Sequence, residues 1–449
     1  MSKITKAYEK LGDWNFYPCQ LDVEFTQCLE EGLDIEPYRD LFFSIFSMPN
    51  SAEKEKAADA LFDLICELPM RKDYPYTEPS EYDAIAAEAA HTKSVPVEKD
   101  DALRDRIAGA WLGRICGCLL GKPIEGMRLH ELVPMLKEIG NYPMTRYVLD
   151  SDLTDEICAK YTFPLKNRCW ADTVKAMPYD DDTNYTVLGN ILIEKHGRDF
   201  TPVHVADLWI ASQPRDAYFT AERVTFHNYV NGFYPPQTAV YKNPYREWIG
   251  AQIRGDYFGY INPGNTKAAA EMAFRDASIS HIKNGIYGEM WASAMIAYAA
   301  VSDNVEEVIL AGLSEIPAKS RLHESVMQII ENYRAGRTFE ETMQQILSRW
   351  DDRRMHDWCH TISNAMIVAA SLLYGEKDYG KSICLAVQSG FDTDCNGATV
   401  GSVLGMMLGT KAIGAEWTAP INDTLETPIN GISSISISQL AEKTMQHIL

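Results

Sequence analysis

Glycine recurs at every fourth position in two separate segments, and this spacing constrains the fold more than any other feature of the chain. The glycines are Gly109, Gly113, Gly117 and Gly121 in the first segment and Gly397, Gly401, Gly405 and Gly409 in the second. In an α-helix, residues four apart share one face. Four glycines inside a helix would cost roughly 3–4 kcal/mol relative to alanine if nothing compensated. We therefore predict two helices whose glycine faces each lie against another backbone.

Carboxylates stand at the ends of the predicted helices. They are Glu125 after the first glycine segment, Asp180, Asp181 and Asp182 before an apolar helical pattern, and Asp392 and Asp394 before the second glycine segment. An acidic N-cap that complements the helix dipole would explain each aspartate motif alone. Hard divalent cations prefer oxygen ligands, so the motifs together predict a polynuclear divalent-metal site.

The net charge of −21 excludes several classes of partner. Binding to nucleic acid or to an anionic membrane surface requires patches of Lys and Arg, so we expect neither partner. The N-terminal segment MSKITKAYEK has no apolar core of a signal peptide, and no apolar run reaches the ~18–20 residues of a membrane span. The 10 cysteines include no CxxC pair, which favours reduced thiols and a cytoplasmic location.

Helix-spaced apolar residues run through almost the whole chain and predict an all-α fold. Residues 1–99 form a helical N-terminal extension in this interpretation, and residues 100–449 form a second, larger unit. In the larger unit, helices are predicted at 101–121, 183–196, 267–283, 288–302, 304–313, 322–335, 339–350, 359–374, 378–389 and 396–409. Residues 432–438 alternate weakly and fit either a short strand or a polar loop.

A long segment from about Pro214 to Gly264 lacks a clear periodicity and is rich in aromatic residues. Long ordered loops are often functional, and aromatic rings can stack on a base or a sugar. Asn231 and Phe233 are therefore candidate substrate-binding residues. A satellite core covered by loops is the alternative explanation of the same aromatic residues.

Three motifs together resemble the ADP-ribosylglycohydrolase family over about residues 100–420. They are G-x-P-x-E at Gly121–Glu125, Asp-Asp-Thr at 181–183, and G-x-D-T-D at Gly390–Asp394. The resemblance implies an orthogonal multi-helix bundle with two divalent cations, most often Mg²⁺, although Mn²⁺ also fits. It also implies Glu125 as the catalytic glutamate and Asp181, Asp182, Asp392 and Asp394 as metal ligands. In the Ser280-His281 pair, His281 is either a substrate contact or a buried core histidine.

The chain departs from the family pattern at three positions. Asp180 replaces a hydroxyl residue before the paired aspartates, Cys395 replaces threonine after the D-T-D motif, and Arg114 replaces an acid in the first helix. We expect Asp180 to act as a further metal ligand. We expect Cys395 to point into helix packing, because Mg²⁺ disfavours sulfur. Six ionised carboxylates would then face at most two divalent cations.

The sequence thus predicts a metal-dependent glycohydrolase that cleaves the C1 bond of a ribosyl group. Its substrate would be an ADP-ribosylated protein or a small riboside. A non-catalytic protein that binds ADP-ribose or a nucleotide on the same scaffold is the alternative, and the three departures keep it open. An all-α prenyl-diphosphate enzyme is a weaker competitor, since the chain lacks its DDxxD pattern.

Overall fold

The N-terminal region is helical, as predicted. The structure is a computed structural model that describes residues 4–449, except for the side chain of Asp13. The helices of this region are α1 (Leu21–Glu30), α2 (Arg39–Phe46), α3 (Ala52–Cys66) and α4 (Tyr82–Glu88). The first three bury a small apolar cluster of their own around Phe25, Phe42 and Leu61.

The rest of the described chain is also mostly helical, which confirms the all-α prediction. Its first helices are α5 (Asp101–Gly121), α6 (Leu129–Glu138), α7 (Asp155–Cys158), α8 (Asp181–His196), α9 (Pro202–Ser212), α10 (Thr220–Val230), α11 (Gln237–Val240), α12 (Asp256–Tyr260), α13 (Thr266–Ala277) and α14 (Lys283–Ala299). The later helices are α15 (Val305–Leu313), α16 (Arg321–Arg334), α17 (Phe339–Arg349), α18 (Met355–Cys359), α19 (Thr361–Tyr374), α20 (Tyr379–Gln388), α21 (Thr393–Leu408) and α22 (Ala415–Thr418). Among residues 4–449, no helix has the length and apolar character needed to cross a bilayer.

The chain ends in a two-stranded antiparallel sheet followed by a helix. Strand β1 (Thr424–Ile429) pairs with β2 (Ile432–Ser436), and α23 (Ile437–His447) follows directly. The strand alternative for residues 432–438 is therefore correct up to Ser436. Strand β1 and helix α23 were not predicted.

The two glycine-rich helices, α5 and α21, lie antiparallel against each other at the centre of the fold. A Cβ atom added to Gly113 would fall within 3.0 Å of the carbonyl oxygen of Gly401, and one added to Gly401 would meet the carbonyl of Gly113 in the same way. Gly117 and Gly397 form an equivalent pair. The prediction of close backbone approach is confirmed, and the partner of each glycine face is the other glycine face.

This antiparallel packing places two sets of acidic residues at the same end of the helix pair. The chain leaves α5 through a short 3₁₀ turn, Lys122–Ile124, and reaches Glu125. Helix α21 begins at Thr393, and a Cβ on Gly121 would meet the backbone of Thr393 and Asp394. We call the contact between the glycine faces of α5 and α21 the glycine seam. The glycine seam therefore brings Glu125 and Asp394 towards one another.

The aromatic segment from Pro214 to Gly264 is more regular than the sequence predicted. It contains helix α10, whose periodicity is masked because polar residues lie on its buried side. Glu222 is one of them, and it is buried because Arg254 donates a hydrogen bond to it at 2.5 Å. Several rings, including Trp248 and Tyr260, are at most 1% exposed, so much of the aromatic content belongs to the core.

Buried charges join the N-terminal region to the larger unit. Arg246 lies 2.7 Å from Glu24 and 2.5 Å from Glu31, and all three side chains are at most 6% exposed. Arg321 pairs with Glu78 at 2.8 Å in the same way. The N-terminal helices are thus held to the larger unit by ion pairs that water barely reaches.

Candidate metal centre

Carboxylates and thiols from distant parts of the chain form one cluster at the end of the α5–α21 pair. Three groups of side chains bring their potential ligand atoms within 4.8 Å of one another: Glu125, Asp392 and Asp394; Asp182, Asp394 and Cys395; and Cys118, Asp180 and Asp182. Asp182 and Asp394 each belong to two groups, so the three are continuous. Among the described residues, Asp181 stands outside these groups, although its charge interacts with Glu125.

The first group offers oxygen atoms only, and it fits a hard divalent cation. Asp392 and Asp394 are 4% and 2% exposed, whereas Glu125 is partly exposed. The Oδ1 atom of Asp394 is buried and has no hydrogen-bond partner among the described residues. A buried carboxylate oxygen without a donor is costly. A cation at this position would satisfy it, and Mg²⁺ or Mn²⁺ accepts three carboxylate oxygens.

Two basic side chains lie within the acidic cluster, and sequence reasoning missed their role. The Lys122 ammonium lies 2.6 Å from Asp180 Oδ2. The fully buried Arg114 donates to Asp256 at 2.8 Å, lies 3.4 Å from Asp182 Oδ1, and also donates to the Asp182 carbonyl. The count of six negative charges against two cations was therefore incomplete.

A helical spacing in the sequence contained the signal for these residues. Arg114 and Cys118 on α5 and Lys122 directly after it are four apart, each one position after a glycine of the seam. Residues at that spacing share a face, and this face borders the one that packs on α21. The sequence shows the face, but it does not show that the carboxylates of α8 lie opposite it.

The expected orientation of Cys395 is wrong. Its thiol does not point into helix packing but donates to Asp182 Oδ2 at 3.2 Å. The reason is the glycine seam, because α5 approaches α21 so closely that the contact face has no room for a side chain. Cys395, two positions before Gly397, therefore faces the cluster.

Burial and mutual repulsion shift the acid–base properties of the cluster. Burial, with the charges of Glu125 and Asp180, holds the pKa of Asp394 well above its usual range. Burial, Asp392 and Asp180 raise the pKa of Glu125 to about 7. Burial also acts to raise the pKa of Asp180, but the adjacent Lys122 outweighs it and holds that pKa below its ordinary value. Asp180 is thus kept ionised while Glu125 can exchange a proton near neutral pH.

The structure places the three candidate substrate-binding residues in different surroundings. His281 is completely buried, and its Nδ1 is 2.7 Å from Ser280 Oγ. Phe233 stacks on Tyr241 with ring centroids 4.3 Å apart, and the exposed Asn231 donates to the carbonyl of His227. No hydrogen bond or ion pair between described residues links these three to the acidic cluster. Their contact with substrate remains a prediction.

Comparison with known families decides the membership of this chain. A family model described as ADP-ribosylglycohydrolase matches residues 99–448. The chain belongs to the ADP-ribosylglycohydrolase family. Residues 1–98 lie outside the match, close to the boundary that the sequence predicted at 99/100.

Other comparisons are more distant. The chain is similar to a solved structure described as an "ADP-ribosylglycohydrolase-related protein complex", with 16% sequence identity and a TM-score of 0.46. That similarity covers 78% of this chain and 100% of the other chain. A search of curated proteins finds no match.

Metal removal should destabilise this member of the ADP-ribosylglycohydrolase family, increasingly so at higher pH. The pKa values of Glu125, Asp182 and Asp394 are raised in the folded state, so folding without metal favours their protonated forms. Stability is then lost as the pH rises from about 4.5, the pKa of Glu125 in the unfolded chain, through about 7, its pKa in the folded protein. With EDTA, the melting temperature should fall between pH 5 and pH 8.

Added Mg²⁺ or Mn²⁺ should reverse this loss, since a ligand that binds only the folded state raises its stability. The difference between EDTA-treated and metal-loaded protein should be larger at pH 8 than at pH 5. Calorimetric scans at both pH values measure this difference. EDTA saturated with Ca²⁺ beforehand, which cannot remove Mg²⁺ from the protein, serves as the control. A melting temperature that responds to neither chelator nor metal would count against a metal centre.

Proposed function

We propose that the protein is a metal-dependent glycohydrolase that cleaves the C1 bond of a ribosyl group. The ribosyl group would belong to an ADP-ribosylated protein or to a related small riboside, and the bond would be N- or O-linked. One observation carries the proposal: Glu125, partly exposed and with a pKa of about 7, belongs with Asp392 and Asp394 to an all-oxygen group suited to a divalent cation. Family membership supports the glycosidic reaction class.

Asp392 and Asp394 would hold the cation, and Glu125, the third member of the oxygen group, would transfer the proton. Glycosidic cleavage at ribose passes through an oxocarbenium-like transition state. A bound divalent cation would orient ribose hydroxyls and acidify a water molecule. A general acid or base acts best when its pKa lies near the working pH, and without a cation Glu125 has a pKa of about 7.

The two basic residues, Lys122 and Arg114, each hold one aspartate of the cluster in place. Lys122 keeps Asp180 ionised, and Arg114 fixes the position of Asp182 through its carboxylate and its backbone carbonyl. Asp392 is held by the Cys359 thiol, which donates to its Oδ2 at 3.2 Å. These contacts limit the movement of the aspartates when a cation enters or leaves. We propose Mg²⁺ or Mn²⁺ for the oxygen group.

A non-catalytic protein that binds ADP-ribose is the alternative. The observation that favours it is the Arg114 guanidinium, which neutralises part of the cluster where the family pattern has an acid. The presence of Glu125 and of all four matched aspartates in the chain argues for turnover instead.

A substrate panel separates the two functions. Ribosylated proteins, nucleosides and simple ribosides would be incubated with the protein, with and without Mg²⁺, and released ribose or ADP-ribose would be measured. The glycohydrolase proposal predicts Mg²⁺-dependent release from at least one class. Tight binding of ADP-ribose by calorimetry, without release from any panel member, would support the alternative.

We propose that neither nucleic acid nor a membrane surface is a partner of this protein. A net charge of −21 repels polyanions and anionic lipids. We also propose a cytoplasmic location, since the ten cysteines among the described residues are all free thiols.

A further inference from the structure

Sulfur atoms occupy two of the three ligand groups in the cluster. Cys395 lies with Asp182 and Asp394, and Cys118 lies with Asp180 and Asp182. All five side chains are buried. The two thiols come from different helices, α5 and α21, and both approach the same carboxylate, Asp182.

We infer that Asp182, Asp394 and Cys395 form a position for a thiophilic divalent cation such as Zn²⁺ or Co²⁺, distinct from the oxygen position at Glu125, Asp392 and Asp394. Asp394 belongs to both groups and would bridge the two ions. The inference deepens the proposed metal centre, on which it rests, by assigning different ions to its two positions. Thiolate ligands select Zn²⁺-like ions, whereas Mg²⁺ takes oxygen ligands.

The geometry of the group suits such an ion. In a tetrahedral zinc site, Zn–S bonds of ~2.3 Å and Zn–O bonds of ~2.0 Å separate sulfur from oxygen by roughly 3.5 Å. Cys395 Sγ and Asp182 Oδ2 are 3.2 Å apart. Arg114 lies 3.4 Å from Oδ1, the other carboxylate oxygen of Asp182, so Oδ2 is left for the ion.

The unpartnered oxygen of Asp394 completes the argument. Asp394 is 2% exposed, and its Oδ1 accepts no hydrogen bond from any described residue. Three protein ligands with one open position are typical of catalytic zinc sites. Binding would break the S–H bond of Cys395 and form a sulfur–metal bond, and the proton would leave to solvent without any redox change.

Cobalt provides a direct spectroscopic test on the full-length protein. After chelation and dialysis, Co²⁺ would be titrated into wild-type protein in excess Mg²⁺. We expect a sulfur-to-cobalt charge-transfer band in the near ultraviolet that saturates at a single cobalt ion per chain. Zn²⁺ should displace Co²⁺ and abolish the band, whereas further Mg²⁺ should not.

Two serine variants identify the sulfur ligand. Cys395→Ser should lose most of the band, while Cys116→Ser should keep it, because Cys116 is buried but belongs to none of the ligand groups among the described residues. Absence of the band in wild type would overturn the inference, and so would a band of full strength in Cys395→Ser.

A second measurement on wild type does not depend on the folding of any variant. Elemental analysis after dialysis against excess Mg²⁺ with trace Zn²⁺ should find a single zinc ion retained per chain. Retention of magnesium alone would overturn the inference. These outcomes are separate from the proposed function, since Mg²⁺-dependent ribosyl release without any cobalt band would refute the thiophilic position and leave the glycohydrolase intact.

Discussion

Glu125→Gln should lose most of its turnover, by about 10²–10⁴-fold in kcat on any substrate that the wild type cleaves. The amide keeps the size of the side chain and one oxygen that can face a cation, but it cannot exchange a proton. The raised pKa of Glu125, about 7, is the property that the substitution removes. Kinetics at pH 7 with saturating Mg²⁺ measure the loss.

Two controls show whether the loss is chemical. Glu138→Gln changes an exposed glutamate that pairs with Lys160 on the surface, and it should leave turnover unchanged. The Glu125→Gln protein should also keep its thermal response to EDTA, since Asp392 and Asp394 remain. Wild-type turnover in Glu125→Gln would show that this glutamate is structural.

Gly113→Leu and Gly401→Leu should each destabilise the fold strongly. The first Cβ would collide with the carbonyl oxygen of the opposite glycine, and a carbonyl in a helix cannot rotate away as a side chain can. Overpacking of a well-packed core typically costs about 1–3 kcal/mol, and a backbone obstacle places these variants at the upper end or beyond. The drop in melting temperature measures the effect.

Ala102→Leu is a suitable control for these variants, since it places the same leucine side chain at an exposed position of α5. It should melt close to wild type. If both glycine variants melted like the control, the two helices would not be in backbone contact. A loss of metal response in Gly113→Leu, together with the lower melting temperature, would show that the seam also sets the spacing of the acids.

Local patterns predicted local structure well. Helix α5 was predicted at 101–121 and occupies Asp101–Gly121, and Asp100 caps its start by accepting a hydrogen bond from the Leu103 amide. The glycine spacing also predicted close backbone packing. The sequence did not predict that α21 is the partner of α5, since periodicity shows which face of a helix is buried but not what covers it.

Long-range ion pairs explain most of what the sequence did not show. Arg114 was recognised only as a departure from a family pattern, yet its partners Asp182 and Asp256 are 68 and 142 positions away. Helix α10 was missed for a similar reason. Its buried Glu222 breaks the apolar periodicity and is tolerated only because Arg254 reaches it in the fold.

The ion pairs between the N-terminal region and the larger unit show that the boundary of the family match is not the boundary of the folding unit. The family match begins at residue 99, so an alignment would cut the chain there. Such a cut would strip Arg246 of both its carboxylate partners, Glu24 and Glu31. Breaking a buried pair by removing one side costs about 3–5 kcal/mol. The part of the chain shared with its relatives is therefore smaller than the part that must fold together.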